Sequence, residues 1–163
     1  MTRPISRTLA AMFIIAASVL FAAAQKPADA TRRQMSDTER AVRAFYDGYA
    51  DDLRRERRES IVGRYDPRGA YILGNGSKRF ESLEQIRDVY MNKWSGPKSF
   101  AWHDLSVDVI SGSAAAVAAR FEWVTQAGQT LHFSYTGVLV KRGGKWYIRI
   151  EDESSAPPGA GGN

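Results

Sequence analysis

Two hydrophobic periods divide the chain. Between residues 36 and 94 apolar side chains recur at intervals of three and four, whereas from about residue 103 to 152 they alternate with polar ones. The first pattern predicts helices and the second strands. Val42, Phe45, Tyr49 and Leu53 share one face of a helix that opens at Ser36, where a capping box would have Ser36 accept from the backbone and Glu39 reach back. A shorter helix through Ile61, Val62 and Tyr65 is stopped by Pro67 and Gly69. The stretch AYILGNGSKRF reads as a short strand and a turn at Asn75-Gly76. Ser82 to Gln85 forms a second capping box, and Leu83, Ile86, Tyr90 and Trp94 make the stripe of a third helix ended by Gly96-Pro97. Four strands follow, in HDLSVDVI, AAVAARFEWV, TLHFSYTGVLV and KWYIRIED, separated by turns at Gly112, Gly128 and Gly143-Gly144. The order predicts one α+β domain, with three N-terminal helices on one face of a strongly curved antiparallel sheet.

The ends of the chain change the picture of where it works. Arg3 and Arg7 precede an uncharged run from Thr8 to Gln25, and small residues stand at Ala22/Ala24 and at Ala28/Ala30. That pattern predicts a secretory signal over residues 1–30, cleaved after Ala24 or Ala30. Its strongly apolar core is shorter than the roughly 20 residues a spanning helix needs. The expected product is periplasmic or secreted and free of the membrane. Cleavage after Ala30 leaves 133 residues, enough for one domain and too few for two. The folded part is expected over 36–155, and the Pro/Gly-rich residues 156–163 are expected to be a disordered tail.

Charge and cysteine count narrow the chemistry. Residues 1–30 hold three cations and one anion, so their removal lowers the formal charge from +5 to +3. Most of the remaining basicity is in Arg54 to Glu59, where acids interrupt the arginines as on a solvated helix face. Nucleic acid is not an expected partner, because a wider basic surface with stacking aromatics would be needed. With no cysteine and only His103 and His132, neither a disulfide nor a metal-ligand cluster of known spacing can be read, and no cofactor is expected.

Strand register then selects candidate site residues. A tight turn at Gly143-Gly144 would pair Val140 with Tyr147, Val138 with Arg149 and Thr136 with Glu151. A tight turn at Ala127-Gly128 would align Trp123 with His132 and Phe121 with Ser134. One face then mixes aromatic and polar groups as a small-molecule pocket does. On this reading His132 and Glu151 are the catalytic candidates, and Phe121, Trp123, Thr136, Tyr147 and Arg149 bind ligand. The other face, with Phe133, Tyr135, Leu139, Trp146 and Ile148, is apolar and suits a homodimer interface. A single bulge would exchange these faces.

Four motifs in order, IVGRYDP, GSKRFESLEQIRDVY, SGSAAAVAARF and GKWYIRIEDESS, resemble those of SnoaL-like members of the nuclear-transport-factor-2-like superfamily. The resemblance covers about residues 36–155. It implies a cystatin-like cone whose open end is a pocket between helices and sheet, often with dimerisation through the sheet. In the superfamily's ketosteroid isomerases a carboxylate base ends the first strand and a tyrosine on the first helix helps to stabilise the enolate. Aligned on Arg64-Tyr65, this chain has Tyr49 in the tyrosine's place, Leu73 in the base's and Thr136 in that of a second acid. Tyr49 therefore joins the ligand-binding candidates, and isomerase chemistry of that type lacks its acids. The expectation is an exported pocket protein for a small, partly apolar ligand, with acid–base chemistry of the isomerase or hydratase type as its activity. The alternative is a non-catalytic dimeric association module.

Overall fold

Helix α1 (Asp37–Arg54) begins where its cap predicts, with Ser36 extended and its hydroxyl accepting from the Glu39 amide at 3.0 Å. The Glu39 carboxylate does not complete the box; it pairs with Arg43 one turn on, at 3.1 Å. The structure, a computed structural model, describes residues 35–155. The predicted signal and the C-terminal tail lie outside the described residues. Helix α2 (Arg58–Val62) is short, and Tyr65 sits beyond it in a parallel bridge to Ile148. A hairpin, β1 (Ala70–Gly74) and β2 (Ser77–Glu81), turns at Asn75-Gly76. Helix α3 (Leu83–Asp88) has the full capping box between Ser82 and Gln85, then widens into a π-helical turn over Val89–Lys93.

Four long strands complete the chain: β3 (Ser99–Ser111), β4 (Ala114–Val124), β5 (Thr130–Arg142) and β6 (Lys145–Ser155). They join the hairpin in one sheet of order β2-β1-β6-β5-β4-β3. The sheet is mixed rather than wholly antiparallel, because β1 runs parallel to β6. Register shifts in β3 and between β5 and β6 bend it, as bulges do. The helices lie in the concave side.

Two departures from the predicted register decide which face is the core. Val124 pairs with Thr130, so the β4–β5 connection is a five-residue loop and not a two-residue turn. The Thr125 amide donates to the Gln129 carbonyl at 2.8 Å, and Gly128 takes φ +84°. Phe121 therefore opposes Phe133, and Trp123 opposes Leu131. In the β5–β6 hairpin Val140 does pair with Tyr147, but Val138 pairs with Ile150 and Leu139 with Ile148, leaving Arg149 as a bulge. Trp146 and Ile148 face inward before the bulge, and Glu151 and Glu153 face inward after it.

The predicted dimer face is thus the core. Tyr135, Leu139 and Ile148 are buried, Trp146 is 9% exposed, and Phe133 packs against the same cluster. They pack within the chain's own core, together with Val42, Tyr46 and Tyr49 of α1. The hydroxyls of Tyr46 on α1 and Tyr135 on β5 lie 3.0 Å apart over Gly137, which supplies the space.

Candidate functional site

The concave side encloses a cavity of about 350 Å3, open at one end. Its walls come from every layer. The strands contribute Phe100, Trp102, Phe121, Trp123, Leu131 and Phe133, while Leu53, Ile86 and Trp94 close the helical side. The stacking of Phe121 on Phe133, with centroids 4.8 Å apart, follows directly from the five-residue loop, which sets these two side chains opposite each other. Arg79, Val89 and Glu153 are the lining residues exposed to solvent and mark the mouth.

One carboxyl lies inside. Glu151 is 5% exposed, Oε1 accepts from the Tyr65 hydroxyl at 2.8 Å, and Oε2 has no hydrogen-bond partner. Tyr65 is fixed there by backbone bonds, from the Asp66 amide to the Ile148 carbonyl at 2.9 Å and from the Ile148 amide to the Arg64 carbonyl at 2.8 Å. Behind it the hydroxyls of Tyr65, Tyr90 and Tyr49 form a triangle with sides of 2.8, 3.2 and 3.3 Å. Tyr90 reaches it from the π-helical turn, a device common at functional sites. Because Tyr65 donates to Glu151, its oxygen is left to accept from Tyr90 or Tyr49. The three phenols form a hydrogen-bonded chain that ends on the carboxyl.

The electrostatics favour a protonated acid. Burial pushes the Glu151 carboxyl well above its ordinary value, the Glu153 carboxylate adds to the rise, and the Tyr65 hydrogen bond opposes it. Glu153 is raised to about 7 by the surrounding protein and by Asp152, and its contact with solvent moderates that effect. The phenols of Tyr49, Tyr65 and Tyr90 are pushed upward chiefly by burial, and remain neutral hydrogen-bonding groups. A buried carboxyl with a raised pKa and one unpartnered oxygen can give a proton to a bound ligand and take one back.

Of the residues selected from sequence, Tyr49, Phe121, Trp123 and Glu151 line this cavity. His132, Thr136, Tyr147 and Arg149 do not. His132 and Thr136 are exposed on the convex face, because the longer β4–β5 loop turns each of them away from Phe121 and Trp123. Tyr147 also points outward, between Trp146 and Ile148. The Arg149 guanidinium stacks over Tyr71 and Phe80, 5.5 Å from each ring, and donates to the Gly69 carbonyl at 2.5 Å. It bonds to neither Glu151 nor the cavity, because it is the bulged residue. Glu151 reaches the pocket by that same bulge and not by the register expected from the sequence.

Sequence reasoning missed Tyr65, Tyr90, Glu153 and the Arg79–Glu81 pair, whose Nε and Oε1 are 2.8 Å apart. It read Tyr65 and Tyr90 as helix stripe. A usable signal was present: Leu131, Phe133 and Tyr135 are more apolar than His132, Ser134 and Thr136, and belong with Phe121 and Trp123 on that ground.

Comparison with known proteins agrees with this architecture. Residues 42–157 match a SnoaL-like domain family. Among solved structures, an NTF-2 like protein of unknown function from Shewanella oneidensis superposes with TM-score 0.62 at 15% identity, covering 71% of this chain and 97% of that one. A ketosteroid isomerase-like protein from Erwinia carotovora gives 0.63 at 17% identity, with 76% and 100% covered. A protein of unknown function with a cystatin-like fold from Nostoc punctiforme gives 0.62 at 12%, with 77% and 96% covered. At these identities the likeness is one of fold. None of the curated proteins matches the chain by sequence.

Proposed function

Since the chain belongs to the SnoaL-like domain family, we propose that it is an exported small-molecule pocket protein in which Glu151 meets the polar group of a largely apolar ligand and exchanges a proton with it. The observation that carries this reading is the buried Glu151 carboxyl, with Tyr65 on one oxygen and nothing on the other, inside an aromatic cavity. An unpartnered buried acceptor costs free energy unless a ligand or water completes it. Proton transfer of the isomerase or hydratase type needs an acid–base group beside the reacting atoms, and Glu151, its pKa raised by burial, supplies one. The carboxylate expected at the end of the first strand is absent; Ile72 of β1 faces the cavity, and the acid comes from the last strand instead. An association module built on an apolar sheet face loses its support, because those residues form the core.

A thermal-shift screen of the purified protein against small metabolites and flat apolar molecules tests the binding claim. Ligands that stabilise the wild type are expected to bind Glu151→Gln more weakly by a factor of about 2 to 10, the range of an uncharged hydrogen bond. His132→Gln and Arg149→Met should bind them as the wild type does, and a loss confined to these two would refute the placement.

Export is supported by the charged start, the short apolar run and the alanine sites within residues 1–30. Intact-mass measurement on a periplasmic extract is expected to show loss of 24 or 30 residues, at the two alanine sites. Full-length chain in the membrane fraction would contradict it.

A further inference from the structure

The charge around the cavity is the reverse of the chain's own. The protein is formally +5, yet the cavity is lined by three carboxyls, Glu81, Glu151 and Glu153, against one cation, Arg79. Arg79 is already paired with Glu81. Among the described residues Glu151 and Glu153 have no cationic partner, although both face a space walled by the rings of Trp94, Trp102, Trp123, Phe100 and Phe121. Resting on the pocket reading above, we infer that the ligand is an organic cation, an ammonium group on an apolar body, held between these rings and the Glu151 and Glu153 carboxyls.

Three features select that class. Aromatic faces attract a cation through their quadrupoles, and more strongly where water is excluded. A positive charge eases the ionisation of two acids that no cation neutralises, whereas an anion would oppose it. An ammonium N–H would also donate to Glu151 Oε2, the acceptor left without a partner. A neutral carbonyl ligand has no N–H or O–H to give that acceptor and brings no counter-charge to Glu153.

The same geometry makes binding depend on pH. Facing the two acids are the neutral phenols of Tyr49 from α1, Tyr65 from the segment after α2 and Tyr90 from the π-helical turn, with the Arg79–Glu81 pair from β2. Asp152, beside both on β6, adds negative charge. Arg58 lies over Trp94, 5.6 Å from its centroid, but donates to the Tyr90 and Met91 carbonyls and is not a lining residue. The cavity raises the pKa of both acids, Glu151 by deep burial and Glu153 at the mouth to about 7, and a bound cation favours their ionised forms. Binding releases protons, and affinity rises with pH.

Phenyltrimethylammonium, whose charge does not titrate, and tert-butylbenzene, its neutral isostere, separate shape from charge. Tryptophan fluorescence titrations of the whole chain between pH 5.5 and 8.5 are expected to give the cation at least a tenfold advantage at pH 8. That advantage should shrink at least threefold by pH 5.5, with the neutral isostere unaffected. Glu151→Gln and Glu153→Gln together should abolish the preference while tert-butylbenzene still binds, which also shows that the variant is folded. Equal or tighter binding of tert-butylbenzene at pH 8, or a cation preference that ignores pH or survives the double substitution, overturns the inference and leaves the pocket reading standing. If neither probe binds at any pH, the pocket reading falls and takes the inference with it.

Discussion

The ligand-free protein is expected to be more stable at pH 5 than at pH 7, the opposite of a domain whose carboxylates are all salt-bridged. Glu151 binds its proton more tightly folded than unfolded. Its ionisation therefore begins to cost stability as pH rises above the ordinary carboxyl value of 4.5, and the loss continues up to the folded pKa. Within that window the slope for one buried carboxyl is about 1.4 kcal/mol per pH unit. Glu153 adds in the same direction. Asp88 and Asp104 act oppositely, held low by hydrogen bonds from Lys93 and Arg120, but only near and below their ordinary value of 3.8. The two windows do not overlap. Urea denaturation at both pH values measures the difference. Glu151→Gln should flatten the slope and be more stable than the wild type at pH 7, because the amide can still accept from Tyr65 and carries no charge to bury. A wild-type stability that is level or rising over this range would show that Glu151 is ionised in the folded chain.

Gly137→Ala is expected to lower stability by roughly 3 kcal/mol, combining overpacking with damage to a buried hydrogen bond. A Cβ at this position would stand 2.5 Å from the Tyr46 hydroxyl and 2.7 Å from that of Tyr135. Neither ring can retreat, since both are fully packed and edge-on to Trp102. The pair links α1 to β5 and so holds the cone's depth. For a domain of this size the melting midpoint should drop by roughly 10 °C. Gly112→Ala is the matched control: nothing lies within 4 Å of its Cβ, and its φ is not in the left-handed region. It should change stability by less than about 0.5 kcal/mol. Equal effects at the two positions would contradict the role given to Gly137.

The fold was legible because its signals are local and redundant. Ser36 and Ser82 announce helix starts, the shift from a period near 3.6 to one of 2 announces the sheet, and the glycine turns space the strands. The site was legible only in part, because it depends on registers that the local pattern does not contain. The segment from Thr125 to Gln129 can close as a two-residue turn or as the wider loop observed, and the difference of one residue sends His132 outward and Phe133 inward. Likewise Trp146, Ile148 and Ile150 alternate without interruption, and nothing in that alternation discloses that Arg149 is skipped. The bulge is stabilised at a distance, by the Arg149 contacts to Gly69, Tyr71 and Phe80 on the neighbouring hairpin. Tyr65 and Tyr90 escaped notice for a related reason. Each lies at a helix end, and only the bridge to Ile148 and the π-helical turn bring the Tyr65 hydroxyl to Glu151 and that of Tyr90 to Tyr65.

The central claim is that ligand enters the concave cavity and meets Glu151, and the four tryptophans give the most direct reading of it. Trp94, Trp102 and Trp123 line the cavity, whereas Trp146 is buried away from it. A nitrogen–proton NMR spectrum of the indole groups, recorded during titration with phenyltrimethylammonium or any molecule that raises the melting midpoint, should show the three cavity resonances moving together and Trp146 unmoved. Shifts confined to Trp146, or to the amides of His132, Thr136 and Tyr147 on the convex face, would contradict the account.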